Sequence, residues 1–250
     1  MPVDPTLEVE RSLVAAGGLL IAVDEVGRGA IAGPVAVGVV AIDPWTVQAL
    51  PGVRDSKLLS ERRREELHPL VSEWGLARAV GLASASEIDE HGIIRALGLA
   101  GARAFEVLAA GAGAALANAR VLLDGSHDWL TPALPERVEV VVRVKADRDC
   151  AAVAAASVLA KVHRDRLMIA ADAEHPGYGW ASNKGYAAVE HLAAVERLGA
   201  SSLHRVTWLR APVLDGFEDD VEMADRASAG PSFIDRLAPG LGMLPSTGTA

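Results

Sequence analysis

The chain has 250 residues, half of them hydrophobic, with one cysteine, Cys150, and a formal net charge of −9. That length suffices for a full core, and a lone cysteine excludes an internal disulfide and fits a reducing cytosol, so a cytoplasmic location is expected. The N-terminus lacks the basic start and cleavage site of a signal peptide, and no stretch of about 18 uninterrupted apolar residues exists to span a membrane.

Along the chain, residues 19–25 and 35–42 read as two strands joined by a Gly-rich loop from Gly27 to Pro34. The join is short, so the two are expected to be antiparallel neighbours. Ser60 followed by Glu61 to Leu70 reads as a capped, charged helix, and 78–84 as a third strand. Ser86 with Asp89 gives a capping pattern ahead of one or two Ala- and Leu-rich helices over 87–110. Two more strands follow at 119–124 and 138–145, then helices from Asp149 to about Ala173 and over 186–198. Beyond Pro212 the chain turns Gly-, Pro- and acid-rich, and 213–250 is expected to be a mobile tail. Residues 1–17 read as an N-terminal extension and 18–212 as one domain, an α/β or α+β sheet covered by helices.

Three of the apolar runs end on acids: LLIAVDE at Asp24 and Glu25, ARVLLDG at Asp124, and VEVVVRVKAD at Asp147. A single Asp after a strand has an ordinary explanation, since it caps the next helix or makes an Asx turn. Three together carry more. If the strands lie side by side, four carboxylates meet, and their repulsion must be offset by protons or cations. Oxygen-only ligands suit a hard divalent ion, Mg²⁺ or Mn²⁺. Adjacent strand residues face opposite sides, so Asp24 and Glu25 share one site only if the strand ends or twists at Glu25.

The loop Gly27-Arg28-Gly29 lacks the following helix that a dinucleotide fingerprint needs. It reads either as a plain hairpin loop or as a place where backbone amides approach a sugar–phosphate beside the Arg28 cation. Asp55-Ser56-Lys57 reads as a turn that carries a lysine. Ser157 and Lys161, four apart, share a face of a small-residue helix, which is either a packing seam or a close approach for a nucleic-acid backbone. Asn183-Lys184-Gly185-Tyr186 adds a cation and a ring able to stack on a sugar or base. The seven histidines show no zinc-like spacing; His163 and His204 read as surface or packing residues.

Together these segments resemble ribonuclease HII, through AVDEVGRGAIAGPV, DSKLLSERRREEL, SASEIDEHGI, VLLDG, VKAD, AAASVLAKVHRDR, YGWASNKGY and LHRVTW, in that order over roughly 18–212. The resemblance implies a ribonuclease H-like fold, a mixed five-stranded sheet flanked by helices with a helical C-terminal part. It implies Asp24, Glu25, Asp124 and Asp147 as catalytic ligands of two Mn²⁺ or Mg²⁺ ions. It further implies Gly27, Arg28, Gly29 and Tyr186 at the 2′-hydroxyl side of a DNA–RNA junction, and Ser157, Lys161 and Lys184 on phosphates, with Lys57 also expected to bind substrate. The implied substrates are RNA–DNA hybrids and duplex DNA with embedded ribonucleotides, cut by a monomer. Val26, Leu58, Asn183 and Val206 depart from common family residues.

The acidity is compatible with a polyanionic substrate because it is uneven. Residues 213–250 hold seven acids and two bases, whereas 143–210 hold ten bases and seven acids. The local field governs a bound polyanion more than the global charge does.

Overall fold

The apolar runs form one five-stranded sheet. β1 (Leu20–Val26), β2 (Val35–Ile42), β3 (Ala77–Ala83), β4 (Arg120–Asp124) and β5 (Val140–Arg143) lie in the order β3-β2-β1-β4-β5. The computed structural model describes residues 4–112, 118–135 and 138–209; the expected tail over 213–250 lies outside them. The β1–β2 and β2–β3 pairs are antiparallel, while β1–β4 and β4–β5 are parallel, so the sheet is mixed. Every residue of β2 is buried, because helices cover both faces. That is why β2 reads as a continuous apolar run and not as an alternating one.

The helices are α1 (Glu8–Leu13), α2 (Glu61–Glu73), α3 (Ala85–His91), α4 (Ile93–Ala112), α5 (Ala146–Asp149), α6 (Ala151–Glu174), α7 (Trp180–Asn183), α8 (Val189–Leu198) and α9 (Val206–Leu209). Leu20, Ala22 and Val40 pack with α6 on one face, and Ile21, Val23 and Val37 pack with α4 on the other. Small residues set the closeness of both layers. A Cβ on Gly81 would stand 1.9 Å from the Ala100 carbonyl oxygen of α4, and one on Gly38 would stand 2.2 Å from that of Ala156 in α6. Gly38 pairs with Asp24 across the β1–β2 ladder, so α6 is drawn down beside Asp24. Among the described residues no helix is long and apolar enough to cross a membrane.

Three expectations change. Ser84, not Ser86, caps α3, in a box with Glu87: β3 ends at Ala83, leaving Ser84 in extended geometry. Asp89 serves another helix, accepting from Val206 N (2.8 Å) and Thr207 N (3.0 Å) at the start of α9. Asp147 does not end a strand. β5 stops at Arg143, Lys145 turns the chain with φ 59°, and Asp147 falls in α5. The segment before β1 also packs inward. Leu7 joins the α6 core, and buried Glu10 accepts from Ala152 N (2.9 Å), placing an acid at the first turn of α6.

Candidate active site

Pairing between the parallel strands β1 and β4 ends at Val23↔Leu123. Asp24 and Asp124 come next on each strand, so both carboxylates stand where the two strands part. β1 itself continues to Val26, still paired with Ala36 of β2. It therefore does not end at Glu25. The neighbouring strand leaves instead, and Asp24 and Glu25 both border the opening although they start on opposite faces.

Asp124 fills the ordinary role of an acid after a strand. Its Oδ1 accepts from Ala146 N (2.6 Å) and Asp147 N (3.4 Å), capping α5 and thereby bringing Asp147 alongside. Ser157 of α6, buried, donates to Ser56 Oγ (2.8 Å) and lies close enough to hydrogen-bond Asp24.

The electrostatics are those of crowded acids in a dry place. Burial, then Glu25 and Asp124, raise the Asp24 carboxyl well above the usual range. Burial raises Glu25 to about 7; Arg28 opposes this and Asp124 adds to it. Burial raises Asp124 against the pull of its two backbone donors. Asp147 rises to about 7 through burial, then repulsion from Asp124 and Asp55. Each shift marks a carboxylate that the protein alone holds poorly in its charged form.

These residues fit a divalent cation in their chemistry. Glu25 Oε2 is buried with no hydrogen-bond partner among the described residues, and the donors are all oxygen. The side chains are neighbours rather than a closed cage: no group of three acids, histidines or cysteines among the described residues is set to hold an ion.

The other expected residues divide. Arg28 is half exposed, 3.6 Å from Glu25, and Gly29 is exposed. Lys57 is exposed, and its charge lowers Glu25 and Asp124. Lys161 Nζ binds Asp165 (2.7 Å) and lies 5.6 Å from the centre of the Tyr186 ring, which is partly exposed. Ser157 and Lys184, expected on phosphates, are turned inward. Ser157 is 2% exposed within the Ser56 pair, and Lys184 is 6% exposed with its ammonium on the Ala181 carbonyl and Glu61. The two loop glycines also differ. A Cβ on Gly27, at φ +86°, would lie 2.1 Å from Arg164 Nε, whereas one on Gly29 would meet nothing within 4 Å.

Asp55, expected only in a turn, borders the site. It is buried, lies close enough to Asp147 to raise its carboxyl, and its Oδ1 accepts from Lys57 N (2.9 Å). Its sequence signal is the Asp55-Ser56-Lys57 triplet, an acid two residues before a lysine.

The family model for Ribonuclease HII matches residues 21–211. The chain belongs to the ribonuclease HII family. Ribonuclease HII of Streptomyces griseus is 45% identical over 214 residues, covering 83% of this chain and 86% of that protein. Ribonuclease HII of Mycolicibacterium vanbaalenii is 42% identical, covering 83% and 80%. Among solved structures, the ribonuclease HII bound to PCNA from Archaeoglobus fulgidus is similar at 28% identity with TM-score 0.60, covering 76% of this chain and 93% of that one. Ribonuclease H2 of Pyrococcus horikoshii is similar at 26% identity with TM-score 0.58 and the same coverage. The ribonuclease H-like fold is shared, and the chain is a ribonuclease H, a metal-dependent hydrolase that cuts the RNA of RNA–DNA hybrids internally.

Proposed function

We propose that the enzyme also incises duplex DNA on the 5′ side of a single embedded ribonucleotide, leaving 3′-hydroxyl and 5′-phosphate ends. In this reading Asp24, Glu25, Asp124 and Asp147 hold two divalent ions, Mn²⁺ or Mg²⁺, during catalysis. The observation that carries it is the set of four neighbouring carboxylates raised by burial and repulsion, with Glu25 Oε2 left without a partner. Bound divalent ions would supply an activated water and neutralise the charge that develops on the leaving oxygen.

The chain's own residues do the rest. Asp124, fixed by the α5 amides, and Asp24, beside Ser157, offer anchored carboxylates; Glu25 approaches from the other face of β1. Arg28 and Lys57 set positive charge beside the carboxylates for the phosphates near the cut, and Lys161, paired with Asp165 beside the Tyr186 ring, stands for a further phosphate contact. Gly29 supports the ribose reading best, because its missing Cβ answers no contact inside the protein and leaves the loop open to a sugar edge. The Tyr186 ring offers a face to the adjoining sugar. Ser157 and Lys184 act from behind, holding Asp24 and the Tyr186 turn. We further take the enzyme to work as a cytoplasmic monomer.

The test is cleavage of a DNA duplex carrying one ribonucleotide, with Mg²⁺, Mn²⁺ or EDTA, beside a long RNA–DNA hybrid. A metal-dependent cut 5′ of the ribonucleotide, with a 3′-hydroxyl end, is expected. Cleavage of long hybrids alone would remove the proposed roles of Gly29 and Tyr186.

A further inference from the structure

Two arginines, Arg164 of α6 and Arg205 just before α9, have no exposed surface. Arg164 donates to the carbonyls of Pro34 (2.8 Å), Lys184 (2.8 Å) and Ala32 (3.1 Å). Arg205 donates to those of Gly27 (2.7 Å), Arg28 (2.8 Å) and Gly33 (3.1 Å). Among the described residues, all the hydrogen bonds of both guanidinium groups end on backbone carbonyls. Burial, with Arg164 nearby, pushes Arg205 down to about 9, a sign of what it costs to keep two cations together in the dry. A plain hairpin loop needs no such arrangement.

The carbonyls come from two segments. Gly27, Arg28, Ala32, Gly33 and Pro34 belong to the loop after β1, and Lys184 to the turn that carries Tyr186. The same segments are laced directly: Ile31 N and Ala32 N donate to the Gly185 carbonyl, at 2.9 and 3.0 Å. The Tyr186 carbonyl accepts from His191 Nδ1 (2.8 Å), and the Arg164 guanidinium lies 5.4 Å from the centre of the Tyr186 ring. Arg205 in turn stacks on Trp208 at 5.0 Å, and Asp89 caps the α9 amides immediately after it.

We propose that Arg205 and Arg164 are positioning residues for ribose recognition: they lock the Gly27–Gly29 loop and the Tyr186 ring into one unit and so set the selectivity for a lone ribonucleotide in DNA. This rests on the assignment of that loop and ring to the substrate made above. Neither arginine touches the substrate. Each acts through the carbonyls it grips, which fixes the Gly27 and Arg28 peptide units from the protein side. Selection between a ribonucleotide flanked by DNA and one within an RNA tract depends on the spacing between loop and ring. A fork of donors holds that spacing better than a single ammonium.

The experiment measures kcat/KM on a single-ribonucleotide duplex and on a long RNA–DNA hybrid for the wild type, Arg205→Lys and Asp89→Ala, with thermal unfolding of each. A misplacement of about 1 Å costs on the order of 100-fold, so Arg205→Lys should lower the single-ribonucleotide to hybrid ratio by roughly 10- to 100-fold. Asp89→Ala, which loosens Arg205 through the α9 cap alone, should lower it in the same direction by a smaller factor. Equal loss on both substrates, tracking a lower Tm, would show a merely structural role and overturn the proposal. If Arg205→Lys does not fold, an unchanged ratio in Asp89→Ala overturns it. A wild type that fails to cut at the lone ribonucleotide sinks the loop-and-ring assignment itself. A wild type that cuts there beside variants of unchanged ratio sinks only the positioning role.

Discussion

Two regions a few residues apart at the end of β1 answer opposite electrostatic problems. Around Asp24, Glu25, Asp124 and Asp147, like charges gather, burial raises all four carboxyls, and one buried oxygen of Glu25 has no partner among the described residues. Around Gly27 to Pro34, the Nε, Nη1 and Nη2 of two buried arginines all donate to backbone carbonyls, five of them in that loop and one at Lys184. The first region is incomplete without something folding does not supply, which is the condition for binding a cation. The second is complete in the chain alone, which is the condition for a preorganised recognition surface.

The sharpest way to break that comparison is Asp124→Asn. The amide still accepts from Ala146 N, so α5 stays capped, but a charge is gone. Cleavage should fall by about 100-fold or more while hybrid binding changes little. Metal-free thermal stability should hold or rise, because a repulsive buried charge has been removed. Near-normal turnover would dismiss the metal site.

Glycine substitutions test the other region. Gly27→Ala meets both a left-handed backbone and Arg164, and urea unfolding should show a loss of about 2–4 kcal/mol. Gly29→Ala should stay within about 0.5 kcal/mol in stability and yet weaken cutting at a single ribonucleotide. Equal stability losses would erase the distinction between a packing glycine and a recognition glycine.

Metal addition should complete the acidic region. Mn²⁺ at 100 times its dissociation constant should raise stability by about 2.7 kcal/mol, seen as a higher Tm in the wild type and a smaller rise in Asp124→Asn. No rise in the wild type would leave its acids without a ligand.

The smallest effect concerns Glu10, a buried acid outside the site. Burial raises it from 4.5 to about 7. Between those values the folded state keeps a proton that the unfolded state has lost, so stability falls as pH rises through that window. Glu10→Gln should therefore raise Tm at pH 8 by about 2–4 °C or more and give little gain at pH 4, below that window. A gain of the same size at both would assign the effect to packing.

Much of the fold was legible because burial on both faces turns strands into uninterrupted apolar runs. β1, β2 and β4 could be read that way, and the short loop between β1 and β2 made them antiparallel. Boundaries were less legible. Val144 continues the apolar pattern after β5, and the left-handed turn at Lys145 has no glycine to announce it, so Asp147 looked like a strand end. Ser84 and Ser86 offer the same capping chemistry, and only the end of β3 chooses between them.

The sequence by itself determined the run of acids after apolar segments, the glycine loop and the ordered motifs that mark the family, because these depend on residue type and local spacing. The tertiary structure alone decided that Asp55 joins Asp147, that Ser157 and Lys184 face inward, and that Gly27 yields its space to Arg164 while Gly29 yields it to nothing inside the protein. Those facts turn on contacts between residues far apart in the chain, 123 positions from Glu61 to Lys184, and on burial, which local sequence does not carry.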